Sequence, residues 1–140
     1  MINVIYWTMT GNTEMMANAI GDGVKKAGKE VNVINVSNII ADDLKDEKVF
    51  ALGASAMGSE ELDPEMDEFV SEIEKNCAGK TIALFGSYDW GDGTWMVNWC
   101  DRLKNKGAII LNDKGYITRL TPGQDAISDL EQIGSQLANC

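Results

Sequence analysis

Residues 8–13, with the sequence TMTGNT, combine hydroxyl and amide side chains with one glycine. This segment, the threonine turn, follows an apolar run and precedes a segment with helical periodicity. Such a turn between a strand and a helix can bind phosphate, because hydroxyls, backbone N–H groups and the helix dipole all favour an anion. The turn contains no Lys or Arg and lacks the G-x-x-x-x-G-K-[ST] pattern of a Walker loop. We interpret it as a cradle for a single phosphate held by neutral donors, and the alternative is a plain N-capped turn.

Two further loops carry flat or flexible apolar side chains. The Met57 loop (residues 53–61) is rich in small residues, and the Trp90 loop (residues 86–93) places Tyr88 and Trp90 among glycines. A methionine or an aromatic side chain on a loop can lie against a planar ligand. Taken alone, Met57 is better explained by packing on its own scaffold, and Tyr88 is a better candidate for core packing than Trp90. Together with the threonine turn, the loops predict a phosphorylated planar cofactor.

The composition excludes several classes of function. The 140 residues contain 12 Lys and Arg against 22 Asp and Glu, a net charge of −10, so no positive surplus exists to neutralise nucleic acid. Without any histidine, the chain has no His-based acid–base catalysis, Ser-His triad or His-ligated metal. Three widely spaced cysteines predict neither a disulfide framework nor a metal site and fit a reducing cytoplasm. No signal peptide or membrane span is recognisable.

Apolar runs of strand length alternate with helical segments along the whole chain. The predicted strands are 4–7, 31–36, 49–52, 81–85 and 108–111, with 116–118 as a continuation of the fifth after a turn. The predicted helices are 13–27, one that begins at Asp63-Pro64, 94–106 with Trp95 and Trp99 inward, and a last one after residue 120. In this last helix, we expect Thr121 to be the N-cap, Pro122 the first helical residue and Gln124 the capping-box partner. This alternation predicts one parallel sheet with helices on both faces, the second strand at an edge, and the loops together at the carboxyl ends of the strands.

In this order and spacing, the three loops resemble those of the short-chain flavodoxins of clostridia and related anaerobes. The threonine turn matches the family pattern [T/S]-x-T-G-x-T, and residues 55–60 and 86–93 resemble its two flavin loops. The resemblance covers nearly the whole chain and weakens after Leu111. It implies one flavodoxin-like domain over residues 1–140: an α/β three-layer sandwich with a five-stranded parallel sheet in the order 2-1-3-4-5. It also implies noncovalently bound FMN.

The resemblance also implies which residues bind the cofactor. The candidate residues are Thr8, Met9, Thr10, Gly11, Asn12, Thr13, Ser55, Ala56, Met57, Gly58, Ser59, Glu60, Ser87, Tyr88, Asp89, Trp90 and Gly91. By analogy, the hydroxyl and amide side chains of the threonine turn would hold the phosphate with Ser55. Met57 and Trp90 would enclose the isoalloxazine ring, and Glu60 would accept a hydrogen bond from flavin N3–H.

Further analogies concern the redox chemistry. The amides of residues 89–91 would face the pyrimidine oxygens and N1, and the Gly58 carbonyl would turn toward N5–H in the semiquinone. Asp89 departs from the family, in which many members have glycine, and adds a carboxylate near N1. The resemblance implies a one-electron carrier, not an enzyme, that shuttles between semiquinone and hydroquinone. The net charge of −10 and Asp89 oppose the charge of the fully reduced flavin, so we predict a low potential for this step.

The acidic residues suggest the kind of partner. Asp63, Glu65, Asp67, Glu68, Asp89 and Asp92 are expected around the flavin edge. There they would dock basic patches of reductases and other low-potential oxidoreductases, unless they form only a solvated face. We expect a cytoplasmic monomer that binds neither nucleic acid nor membrane.

Three other functions are alternatives to the electron carrier. A response-regulator receiver is excluded, because the ends of strands one, three and five lack the required acids and lysine. The remaining alternatives are an FMN-dependent quinone reductase and a flavoprotein activator of ribonucleotide reductase.

Overall fold

A parallel sheet forms the centre of the fold. The computed structural model describes residues 1–57 and 61–140, so the predicted cofactor residues Gly58, Ser59 and Glu60 lie outside the described residues. The strands are β1 (Ile2–Trp7), β2 (Val31–Asn35), β3 (Val49–Ala54), β4 (Thr81–Tyr88), β5 (Ile109–Ile110) and β6 (Tyr116–Arg119). The helices are α1 (Asn12–Lys26), α2 (Pro64–Ile73), α3 (Thr94–Lys104) and α4 (Gln124–Ala138). Short 3-10 turns cover Val36–Asn38, Ala41–Leu44 and Leu111–Asp113.

The predicted strand order is confirmed, and two segments share its fifth position. The order is β2-β1-β3-β4, after which β5 and β6 both pair in parallel with β4. β5 pairs with the start of β4 through Thr81 and Ile109, and β6 pairs with its end through Tyr88 and Arg119. The second segment is therefore the expected continuation after a turn. It carries the chain to the edge of the sheet where the parallel strands end.

Helices cover both faces of the sheet, as predicted. Alternate residues of each strand point to opposite faces, so Ile5 and Leu52 pack with α2 and α3, whereas Val4 and Ala51 pack with α1 and α4. Trp95 and Trp99 are buried in the first of these clusters, which confirms the prediction for both. β2 lies at the edge, and its residues are only half-buried, which agrees with its alternating sequence.

The start of α4 differs from the sequence prediction. The helix begins at Gln124, and its N-cap is Gly123 in an extended conformation (φ −83°, ψ −177°) with no side-chain capping hydrogen bond among the described residues. The prediction that Thr121 caps this helix and Pro122 begins it is therefore wrong. The Thr121 hydroxyl is used elsewhere, because it donates to Asn12 Oδ1 at 3.0 Å.

The start of α2 follows the prediction. The Asp63 carboxylate accepts hydrogen bonds from the backbone N–H groups of Glu65 (2.8 Å) and Met66 (3.3 Å), and Pro64 is the first helical residue. This arrangement pairs two of the N–H groups that every helix leaves free in its first turn. Among the described helices, none has the length and hydropathy needed to cross a lipid bilayer.

Candidate functional site

The predicted loops meet at the edge of the sheet where β1, β3 and β4 end. β4 extends further than predicted, so Gly86, Ser87 and Tyr88 of the Trp90 loop belong to the strand rather than to a loop. A cleft of about 140 Å³ lies between the strand ends. It is lined by Met9, Thr10, Asn12, Ser55, Ala56, Ser87, Tyr88, Asp89 and Leu120. The structure thus brings together residues of all three loops.

A buried cluster of hydroxyl groups joins the first turn of α1 to the ends of β3 and β4. Thr13 Oγ1 lies 2.7 Å from Ser55 Oγ and 3.3 Å from Ser87 Oγ, and it also accepts a hydrogen bond from the Ser87 N–H at 3.4 Å. All three side chains are buried. The Ala56 N–H donates to the Ser87 carbonyl at 3.0 Å, which adds a backbone link between the ends of β3 and β4. The cluster fixes the first turn of α1 against the ends of both strands.

The N-terminus of α1 is built to accept an anion. Gly11 has a left-handed conformation (φ 96°) that side chains rarely adopt, and its N–H donates to Thr8 Oγ1 at 2.9 Å. Among the described residues, no side chain caps this helix, so the N–H groups of its first turn lack the side-chain acceptor that Asp63 supplies to α2. The positive end of the helix dipole lies at the same end of α1 as these N–H groups.

The donor set of the cleft fits the phosphate of FMN. Its described lining offers the hydroxyls of Thr10, Ser55 and Ser87 and the amide of Asn12, and it contains no Lys or Arg. Neutral donors and helix N–H groups can hold a phosphate without a basic residue. Because Thr121 donates to Asn12 Oδ1, the Asn12 amide can still donate through its Nδ2 group.

Glu14 is the acidic residue of the first turn of α1. Its carboxylate accepts a hydrogen bond from the Tyr6 hydroxyl at 3.0 Å. Burial of the ring and the neighbouring Glu14 charge both raise the pKa of Tyr6, so the phenol stays protonated and remains a donor to this carboxylate. The hydrogen bond ties Glu14 to β1.

Apolar side chains are exposed around the mouth of the cleft. Met9 and Leu120 line the cleft and are 59% and 49% exposed, and Trp90, next to the lining residue Asp89, is 61% exposed. A group of exposed large apolar side chains is typical of a surface that a ligand or partner covers. Tyr88 is half-buried and packs against the core, so the prediction that Tyr88 packs inward more than Trp90 is confirmed. Met57 is half-buried, and its backbone pairs with that of Glu61.

The Trp90 loop turns sharply after β4. Gly91 (φ 101°) and Gly93 (φ 87°) adopt left-handed conformations, and Asp92 accepts hydrogen bonds from the N–H and the hydroxyl of Thr94 at the start of α3. Asp89 does not have a positive φ. Among the described residues, the non-glycine residues with a positive φ are Asn112, Asp113 and Leu120. Aspartate therefore occupies position 89 without left-handed strain.

The segment after β6 contributes to the site, although no sequence motif identified it. Leu120 lines the cleft, Thr121 contacts the threonine turn, and the Arg119 Nε–H donates to the Asp89 carbonyl at 3.0 Å. These residues lie in the region where the family resemblance weakens, and only the pairing of β6 with the end of β4 brings them to this edge. The predicted continuation of the fifth strand over residues 116–118 is the one sequence signal that pointed in this direction.

A larger cleft of about 460 Å³ lies between α3 and the β5–β6 connection. Its lining includes Met96, Cys100 and Tyr116 but no residue of the threonine turn or the Met57 loop. Burial raises the pKa of the Cys100 thiol, and burial together with Asp129 raises the pKa of Tyr116 to about 12, so both groups stay protonated near neutral pH. This cleft lacks the hydroxyl and helix N–H donors of the candidate site.

Comparisons with known proteins agree with this geometry. The sequence model of the Flavodoxin family matches residues 4–133. The chain is 41% identical over 139 residues to a flavodoxin of Clostridium beijerinckii, with 99% of each chain covered. It is 42% identical over 112 residues to a flavodoxin of Megasphaera elsdenii, which covers 79% of this chain and 82% of that one.

Solved structures give the same result. The solution structure of two-electron reduced Megasphaera elsdenii flavodoxin superposes with a TM-score of 0.87 at 35% identity, with 100% of both chains covered. A flavodoxin from the domain Archaea gives a TM-score of 0.88 at 26% identity over 99% of this chain and 96% of that one. The chain belongs to the flavodoxin family, whose members are FMN-binding electron-transfer proteins rather than enzymes.

Proposed function

We propose that residues 1–140 form a single FMN-binding unit that carries electrons one at a time at low potential. The observation that carries this proposal is the juxtaposition of an uncapped helix N-terminus, a neutral donor set and exposed Trp90 at one edge of the sheet. FMN supplies the electron-carrying chemistry when bound, and the protein binds and orients it. The phosphate would be held by Thr8, Thr10, Asn12, Thr13 and Ser55, and the ring would lie between Met57 and Trp90.

The charge of the protein supports a low potential for the second electron. A carboxylate about 10 Å from another negative charge raises its energy by about 1.7 kcal/mol at an effective dielectric constant near 20. The chain carries a net charge of −10, and Asp89, the residue before Trp90, lines the cleft. This field opposes the addition of net negative charge, so it opposes an electron that arrives without a proton more strongly than one that a proton accompanies, and we propose that the second electron is the one without.

Addition of FMN to the apoprotein tests the proposal. We expect strong quenching of tryptophan fluorescence by FMN, and binding at least ~100-fold weaker for riboflavin, since each hydrogen bond to the charged phosphate contributes about 1.5–3 kcal/mol. Equal affinities for the two flavins would contradict the phosphate site.

The loaded protein then tests the electron-carrier role. Reductive titration is expected to show two separate one-electron waves, with the second at the lower potential. A single two-electron wave would favour a reductase over a carrier.

Flavodoxins exchange electrons with redox partner proteins, and we propose that the partners of this chain dock through basic surfaces. The supporting charges are the acidic residues at the start of α2 and in the Trp90 loop. Several of them also serve the fold: Asp63 caps α2, Glu65 accepts from Ser37 Oγ at 2.7 Å, and Asp67 pairs with Arg102. Glu65 and Asp63 keep an uncompensated negative charge in these contacts, whereas Arg102 offsets that of Asp67.

The same proposal includes a monomeric state and a cytoplasmic location, and the three free cysteines, of which Cys77 and Cys100 are buried, support the location. Electron exchange with a basic reductase is expected to slow as salt is added, because screening shortens the reach of the acidic surface to about 8 Å at physiological ionic strength. Stopped-flow rates at increasing NaCl concentration measure this effect. Rates indifferent to salt would show that the acids form only a solvated surface.

A further inference from the structure

Three hydrogen bonds attach the turn between β6 and α4 to the candidate site. The Leu120 N–H donates to the Tyr88 carbonyl at 2.8 Å, and the Arg119 Nε–H donates to the Asp89 carbonyl at 3.0 Å. The third, from the Thr121 hydroxyl to Asn12, reaches the threonine turn. The β6–α4 turn, residues 119–121, is thus linked to both ends of the cleft.

The backbone of this turn is held in an unfavourable conformation. Leu120 has φ 58°, in the left-handed region that a branched side chain rarely occupies. Such a conformation persists only where the surroundings impose it, and the hydrogen bond to Tyr88 is one contact that does so. The result is that Leu120 lines the cleft with about half of its surface exposed instead of packing into the core.

Arg119 acts on the peptide group that joins Asp89 to Trp90. The peptide group is planar, so a hydrogen bond to the Asp89 carbonyl also orients the N–H of Trp90. The guanidinium is permanently charged, and its Nε–H contacts the backbone of an acidic residue, Asp89. It therefore brings a fixed positive charge to a cleft whose described lining has Asp89 as its one charged residue.

We propose that Arg119 is a positioning residue for the cofactor. Its Nε–H orients the Asp89–Trp90 peptide, and its charge eases uptake of the second electron. The proposal rests on FMN binding at this edge. Arg119 itself is exposed and its hydrogen bond is made by a surface side chain, so its replacement is expected to leave the free energy of unfolding nearly unchanged.

Two replacements of Arg119 and one matched control test the proposal. In Arg119→Gln, we expect several-fold weaker FMN binding and a tenfold less favourable second electron uptake, which corresponds to a potential about 59 mV lower for one electron. In Arg119→Lys, the charge remains but the Nε–H does not, so the potential should recover while the affinity stays reduced. Lys29→Gln removes the same charge from an exposed residue just before β2, at the opposite edge of the sheet.

The outcomes separate this proposal from the proposed function. If the unmodified protein does not bind FMN, the proposed function fails. If it binds FMN and Arg119→Gln matches Lys29→Gln in both affinity and potential, only the role of Arg119 is overturned. Recovery of the affinity as well as the potential in Arg119→Lys would overturn positioning, because charge alone would then explain both effects.

Discussion

Replacement of Trp90 by alanine is expected to weaken FMN binding by about ten- to a hundredfold. Stacking of a planar heterocycle on an aromatic side chain contributes about 1–3 kcal/mol, and Trp90 is 61% exposed at the mouth of the cleft, where it can make such a contact. Because so much of the side chain already faces water, the free energy of unfolding of the apoprotein should change by less than about 0.5 kcal/mol. Flavin fluorescence measures the affinity, and urea titration measures the stability.

The variant Trp90→Phe is the matched control. It keeps a ring that can stack but loses area and the indole N–H, so its affinity should lie between those of the wild type and Trp90→Ala. Unchanged FMN binding in Trp90→Ala would show that the ring contacts come from other residues.

Replacement of Gly86 by alanine is expected to destabilise the fold by about 1–3 kcal/mol or more and to weaken FMN binding. A Cβ atom at this position would lie 2.0 Å from the Ala54 carbonyl oxygen and 2.3 Å from Trp95 Cη2. The carbonyl belongs to the last residue of β3, which is held between β1 and β4 and precedes Ser55. Relief of the clash must therefore move the strand end that carries part of the hydroxyl cluster. Urea unfolding and FMN titration measure the two effects.

Gly123→Ala is the control for Gly86→Ala. Gly123 has a negative φ, and a Cβ there would meet no atom within 4 Å, so this exchange should cost no more than the roughly 1 kcal/mol by which alanine is the poorer N-cap residue. If Gly86→Ala unfolds at the same urea concentration as the wild type, the close approach of β3 and β4 is not a constraint on the fold.

The fold could be predicted from local patterns because each one has a local cause. Apolar runs predicted the strands, and the alternation in residues 31–36 predicted the edge position of β2. The Asp63-Pro64 pair predicted the start of α2, where the capping contacts involve neighbours in sequence. The same reasoning failed for Thr121, because its hydroxyl bonds to Asn12, more than a hundred residues away, and not to its own helix.

The candidate site likewise has features that could be predicted from the sequence and features that could not. The sequence by itself determined the donor types of the threonine turn, the aromatic content of the Trp90 loop and the charge of the chain, since these depend on residue identity alone. Only the tertiary structure decided that Thr13, Ser55 and Ser87 form one hydroxyl cluster and that Arg119 and Leu120 belong to the same edge. The physical reason is that strand pairing sets these contacts: β6 reaches the end of β4 only because β5 stops after two residues and the chain turns.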